Sequence, residues 1–528
     1  MTQALKVARL CLANLAEGDT TFREMKAVIE DLLTAEYKGR VLVELLQNAH
    51  DAHLATRSDG RVEILLDEDE GEHGVLYVAN GGRALKPKDF QALCRVALSS
   101  KRPDEGIGHK GVGFKSVRQL TEAPELYSVS DPEAKAFDGF CFRFARSADF
   151  DWLAQQIAPD QTDAADQLRD NLSTLKVPLP LDEVPEPVQR FRRRGIVTVV
   201  RLPLQDAEAR QAAVDQFNEL TDDSAPFELF LDRLAVVSVV HTAAGSTKRT
   251  VYRRQVTSLY SSRDLKIQEV ALRRGLRLIV VRSKVAAERA QEAIAVSGTM
   301  GAAWKAWQGA AEVAVAVPVD EPLTRGRLYT FLPMSTETPS PVNGYVNAPF
   351  FSHVSRRTFA TDIPWNDLLL DEVAAACARA AVLADEGRVE LPGNALVDLL
   401  CRQESELPRL DEAFRKLDGQ LDKVSFIPAV HPVGGRTSFS EGFLWDQPEG
   451  VAAFTPHAIG ETGVAEIIDP SLHAVRANRL RTMGHLRRLS LEPGRERLSQ
   501  WAEAVAGVLG SVVKVILASG SWCGDTSP

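Results

Sequence analysis

The stretch VLVELLQNAHDA, residues 41–52, decides the reading of this chain. At the helical period it sets Glu44, Asn48 and Asp51 at i, i+4 and i+7 on one face. Leu42, Leu45, Leu46 and Ala49 fall opposite, at the spacing of a buried stripe. A carboxylate beside an amide suits a metal-bound phosphate. Glu44 can orient or deprotonate water, and Asn48 offers the hard oxygen that Mg2+ accepts while keeping most of its own waters. A merely solvated helix face has the same composition, so this helix does not carry the reading alone.

The second element is IGHKGVGFKSV, residues 107–117, where Gly108, Gly111 and Gly113 precede a helical stretch. Backbone N–H groups in such a turn approach a phosphate closely. Between the two elements lie two expected strands, VEILLD (62–67) and GVLYVAN (74–80), the second leading into Asn80, Gly81 and Gly82. Two decoys sit in the glycine cluster. Gly106, Gly108 and Gly111 spell G-x-G-x-x-G, but SSKRPDE (99–105) before them is charged and loop-like, where a dinucleotide site needs a strand. GHKGVGFKS is no P-loop either, because Phe114 stands where lysine must follow the second glycine.

The order of a helix with E-x-x-x-N-x-x-D, a strand ending in Asn80 with glycines, a variable lid and G-x-x-G-x-G resembles the GHKL ATPases. That superfamily includes DNA gyrase B, the ninety-kilodalton heat-shock chaperones, histidine kinases and MutL. The resemblance implies a Bergerat nucleotide-binding fold, an α/β (α+β) sandwich, with ATP and Mg2+ as cofactors. It assigns Glu44 as general base and Asn48 as the Mg2+ ligand. Asp51 and Ala52 then flank the nucleotide, Asn80 reads the adenine, and Gly82 lies below it. Gly108, Lys110, Gly111, Val112, Gly113 and Phe114 form the phosphate loop and open the helix after it; Lys110 and Lys115 are candidate phosphate contacts and Lys101 sits in the lid, the alternative for each lysine being a solvated charge. Thr198, in the alternating strand GIVTVVRLPL (195–204), closes the pocket. Asn80 departs from the aspartate of most members, and Ala84 from a glycine. An amide oxygen still accepts a hydrogen bond from the adenine amino group, more weakly than a carboxylate does.

A second match lies at residues 329–376, where LP, VNGY, paired arginines and WN before a helix resemble the region that follows the ATPase fold in sacsin repeats. NO VEIN-type plant proteins and bacterial relatives carry similar segments. The resemblance spans roughly residues 35–385. It makes Arg356 and Arg357 the catalytic arginines from the second domain, since a guanidinium meets the charge spread over transferring phosphate oxygens bidentately.

These landmarks divide the 528 residues into a helical segment 1–37, an ATP-binding domain 38–205 with an acidic helical insertion at 148–190, a mixed α/β transducer-like domain 206–390, and an unassigned region 391–528. The apolar stretch 505–518 reads as a buried helix or strand, too short to span a bilayer. Sixty-two basic against 72 acidic residues give a net charge of −10, which argues against general affinity for nucleic acid or anionic membrane, although local arginine clusters leave nucleic acid open. Six scattered cysteines and no secretion signal fit a reduced cytoplasm. No histidine precedes Glu44, which disfavours a histidine kinase. Two functions remain. One is a slow ATPase acting on a protein or nucleoprotein client, chaperone-like or in antiviral defence, with a homodimer allowed. The other is a nucleotide-gated scaffold with little turnover.

Overall fold

The computed structural model describes residues 2–27, 39–94, 113–222, 224–298, 300, 304–334, 340–352, 362–430, 434–445, 466–469, 471–483 and 487–489. Six strands come from the expected nucleotide unit: β1 (Gly60–Asp67), β2 (Val75–Asn80), β3 (Glu125–Ser128), β4 (Cys141–Phe144), β5 (Pro178–Pro180) and β6 (Thr198–Pro203). They do not complete the sheet. Two more, β7 (Leu234–Ala243) and β8 (Ser246–Arg253), extend it in the order β5-β4-β3-β6-β2-β1-β7-β8. β7 lies parallel to β1, with Val239 opposite Ile64, and every other neighbouring pair is antiparallel. The expected boundary at residue 205 is therefore corrected: AVVSVV belongs to the first sheet. Its alternation marks a strand, but a parallel partner some 170 residues upstream leaves no local signal.

The sheet has two covered faces. Val62, Ile64, Leu66, Leu76, Val78, Leu126 and Leu202 point to one side, against the Val41–Asp51 and Ala207–Leu220 helices. Val75, Tyr77, Ala79, Tyr127 and Val199 point to the other, under Val188 and Phe191 of the Glu186–Arg193 helix. Burying each such Val or Leu stabilises by about 1.5–3 kcal/mol. The amino terminus is helical as expected, over Thr2–Ala16 and Thr21–Ala27. Both helices pack on the insertion helices Asp149–Ile157 and Ala164–Asn171, and Leu179 of the edge strand β5 shares that core.

A second sheet follows at once. It contains β9 (Gln255–Ser261), β10 (Leu265–Ala271), β11 (Arg277–Val285), β12 (Ala311–Pro318), β13 (Arg327–Thr330), β14 (Leu332–Pro333) and β15 (Tyr345–Asn347), in the order β14-β13-β15-β12-β11-β10-β9. The 22-residue helix Pro364–Asp385 covers it with a row of alanines, including Ala376, Ala380 and Ala384, that lets the backbone lie close to the strands. The helices Gly393–Leu400, Leu407–Arg415 and Ala474–Thr482 share the same core. Buried Arg476, hydrogen-bonded to the Asp398 carboxylate at 2.8 and 3.0 Å, fastens the last of them. The described part of 391–528 is thus continuous with the second unit. Among the described residues no helix is long and apolar enough to cross a membrane, and five cysteines are free thiols. The stretch 505–518 lies outside the described residues.

Candidate functional site

The Val41–Asp51 helix starts at Arg40 without a side-chain cap of its own. Gln216, from the Ala207–Leu220 helix, supplies one by accepting a hydrogen bond from the Leu42 N–H at 3.1 Å, and Gln119 accepts from the Gly39 N–H at 3.2 Å. These remote amides orient the first turn, which carries Glu44. The helix is buried almost all round: Glu44 is 3% exposed, while Asn48 one turn on is half-buried. The expected division into a core face and an open polar face therefore holds only at Asn48.

Glu44 meets the far end of the glycine-rich stretch. A Cβ on Gly113 would overlap the Glu44 carboxylate, so any side chain there would have to displace it. Gly113 opens the 3-10 turn Gly113–Gln119, in which Phe114 is buried against Phe144 with ring centroids 6.0 Å apart. Gly108, Lys110, Gly111 and Val112, together with the lid lysine Lys101, lie outside the described residues. Lys115 does not face a phosphate. It is buried, with its ammonium held by the carbonyls of Leu93 and Leu175, the latter at 3.1 Å, and burial pushes its pKa down to about 8.

At the other end of the helix the chain forms a polar row. Antiparallel register sets Asn80 opposite Thr198 and Thr198 opposite Ser128, on the sheet face that the Val41–Asp51 helix covers. The Thr198 and Ser128 hydroxyls are 3.1 Å apart, and Ser128 accepts from the Leu85 N–H at 3.0 Å. Ser128 was not singled out by sequence; its one signal is a hydroxyl inside the apolar strand ELYS. Asn80 turns its side-chain oxygen back on the chain, accepting the Gly82 N–H at 3.1 Å. The amide oxygen expected to meet adenine is thereby engaged locally. A Cβ on Gly82 would stand 2.5 Å from the Ala52 carbonyl oxygen, so Gly82 seals the turn against the helix end. Ala52 in turn accepts the Arg83 N–H at 2.9 Å.

Asp51 points elsewhere. Its carboxylate is 1% exposed, 3.3 Å from His50 Nδ1 and 3.8 Å from the Arg233 guanidinium, so it links the helix to the segment entering β7. Arg356 and Arg357 lie outside the described residues.

Among the described residues the arrangement is polar and closely packed at both ends of the helix. The two glycines bring backbone against the helix at its start and its end, and the polar row Asn80–Thr198–Ser128 offers both donors and acceptors. Asn48, half-buried one turn from Glu44, carries an amide oxygen of the kind that would hold Mg2+. Among the described residues no three His, Cys, Asp or Glu side chains cluster as a metal site, and a cation held mainly by phosphates and water needs none.

The Sacsin domain family matches residues 23–252, ending where β8 ends and so covering the whole eight-stranded sheet. Residues 23–252 are similar to a Sacsin domain. The Protein NO VEIN of Arabidopsis thaliana is 25% identical over 218 residues, 41% of this chain and 7% of that protein. Human Sacsin is 29% identical over 147 residues, 23% of this chain and 3% of that protein. The chain thus spans a small fraction of the curated relatives it matches. The matched segment is similar to the sacsin and NO VEIN-like proteins. The B-subunit of the DNA gyrase from Myxococcus xanthus aligns over 65% of this chain and 92% of that one, with 12% identity and a TM-score of 0.25.

Proposed function

We propose that the Sacsin domain binds ATP with Mg2+ and hydrolyses it slowly. The approach of Gly113 to the Glu44 carboxylate carries this reading, because it sets a proton acceptor at the end of the glycine-rich stretch that would hold the phosphates. Glu44 takes the proton of the attacking water, Asn48 orients the metal-bound phosphates, and the Asn80, Thr198 and Ser128 row receives the base. Bound Mg2+ supplies charge compensation on the phosphate oxygens. The segment 83–107 closes over the nucleotide, and Arg356 or Arg357 contributes a guanidinium from the second unit. Protein or nucleoprotein is the client, in a chaperone-like or antiviral setting.

Glu44→Ala tests the assignment. Turnover should fall by about 10²–10⁴-fold with ATP affinity nearly unchanged, since a general base acts on the rate. Unchanged turnover sinks the base assignment. ATPase assays with DNA, RNA or unfolded protein then identify which client accelerates the reaction. A chain that binds ATP without measurable turnover under all of them is the nucleotide-gated scaffold, a reading that the engaged Asn80 oxygen favours.

A further inference from the structure

The face of the first sheet that lies under the Glu186–Arg193 helix is left open toward β8. Its apolar layer reaches as far as Leu65 of β1 and takes in no residue of β7 or β8. Strand register fixes which side chains stand beyond it. Arg61 of β1, Val236 of β7 and Arg253 of β8 form one row, Glu63, Ser238 and Val251 the next, and Leu65, Val240 and Arg249 the third. Residues paired in this way share a face, and Val62 and Ile64 between the rows point instead into the core under the Val41–Asp51 helix. Arg194, just past the Glu186–Arg193 helix, reaches the same patch and donates to the Glu63 carboxylate at 2.8 Å.

Four guanidiniums therefore meet one carboxylate. Glu63 is buried and committed to Arg194, with Arg249 3.9 Å from its other oxygen. Arg61 and Arg253 are exposed, and among the described residues neither pairs with a carboxylate; Arg61 donates to the Arg194 carbonyl at 3.3 Å. Asp59, beside the first row, faces Arg57 at 3.8 Å. The next acid on the face, Asp67, stands six residues along β1 from Arg61, about 20 Å away. A chain of net charge −10 thus gathers positive charge on one patch of one sheet.

We propose that this patch binds the phosphate backbone of a nucleic-acid duplex without reading its sequence. Each guanidinium offers a planar fork matched to phosphate oxygens. Arg61 and Arg253 stand two strand spacings apart, about 10 Å, and Arg249 and Arg253 four residues apart, about 13 Å. Long side chains on that lattice reach phosphates on both sides of a groove about 6–12 Å wide. The three rows contain no aromatic ring, whereas single-strand binding draws on stacked bases. An acidic peptide must be ordered to meet four fixed charges, whereas a duplex already holds its phosphates in place. The proposal narrows the client proposed above to nucleic acid and does not rest on ATP turnover.

The test measures binding of the full chain to a short, fluorescent, mixed-sequence DNA duplex by anisotropy, without ATP or Mg2+, as salt rises from about 50 to 200 mM. Wild type is compared with Arg61→Gln, Arg253→Gln and the double variant, and Lys416→Gln, in the second unit, controls for the loss of one exposed charge. Circular dichroism checks that each is folded. The logarithm of the binding constant should fall with the logarithm of salt at a slope of about −3 to −4, flattened by about 0.9 for each of the two arginines removed and unchanged in Lys416→Gln. Absence of duplex binding overturns the proposal, as does an equal slope in wild type and the double variant, or an equal change in Lys416→Gln. Tighter binding of the matching single strand, or of polyglutamate, gives the patch to another polyanion and overturns it as well. Asn48→Ala should bind the duplex like wild type; loss of binding there puts the DNA at the nucleotide site and overturns the proposal. Failure of ATP to bind while duplex binding still depends on Arg61 and Arg253 would refute the nucleotide reading and leave this patch standing.

Discussion

Gly113→Ala probes the contact on which the ATPase reading rests. An alanine Cβ there would overlap Glu44 Oε2, lie 2.9 Å from the carboxylate carbon and 3.4 Å from Cγ. Backbone conformation is no obstacle, because Gly113 is not among the glycines with positive φ. Room must come from Glu44, yet its helix is locked by Leu42, Leu45 and Leu46, each 2% exposed or less. Forcing a methyl into such packing costs about 1–3 kcal/mol. A carboxylate displaced by roughly 1 Å would also lower turnover by about 10²-fold. In a Glu44→Ala background all three obstructing atoms are gone, so the same alanine should cost almost nothing. Denaturation midpoints of the four proteins, followed by circular dichroism, give a coupling of about 1–3 kcal/mol if the contact is as described. An equal cost in both backgrounds refutes it.

Three further outcomes are expected. Asn80→Asp keeps an oxygen for the Gly82 N–H and turns a second acceptor outward in place of an amide N–H2, so affinity should rise for ATP and fall for GTP in competition binding; equal change for both means that residue 80 does not read the base. The folded pKa of Lys115, about 8, lies below its ordinary 10.5, so between these values the unfolded chain binds the extra proton and stability rises with pH. Thermal midpoints should show wild type gaining on Lys115→Met from about pH 8 upward, and parallel curves would show that burial does not depress this group. A fragment ending at residue 205 loses β7 and β8 and opens the β1 edge, so size-exclusion chromatography should find it aggregated, whereas one ending at 253 should remain monodisperse and bind ATP.

Local chemistry was legible in the sequence where it repeats at a short period. The helix 41–52, the strands at 62–67 and 74–80, and the threonine strand all appear within a few residues of their expected places. Partners were not legible. The parallel seat of β7 beside β1, the capping of Leu42 by Gln216, and the pairing of Asp51 with Arg233 each join residues more than 170 positions apart. Helical spacing sets Glu44, Asn48 and Asp51 on one side of the helix, but it could not tell that the Ala207–Leu220 helix and the approach to β7 enclose that side and turn Asp51 to Arg233. A lysine after the glycines suggests either a phosphate contact or a solvated charge at Lys115. Its ammonium instead lies over the Phe144 ring, 5.4 Å from the centroid, and between two carbonyls.

β8 is the last strand of the first sheet and β9 the last of the second, and Arg254 alone separates them. A joint one residue long admits rotation about two dihedral angles but no lengthening. Arg254 is also bolted down: its guanidinium is 2.8 Å from the Asp232 carboxylate, which at 2.8 Å holds Arg282 of β11 as well. The two sheets are thus like leaves of a hinge whose pin is an ionic contact. A motion of one sheet relative to the other would pass this crease as a swing, its arc set in part by how far Asp232 can follow both arginines.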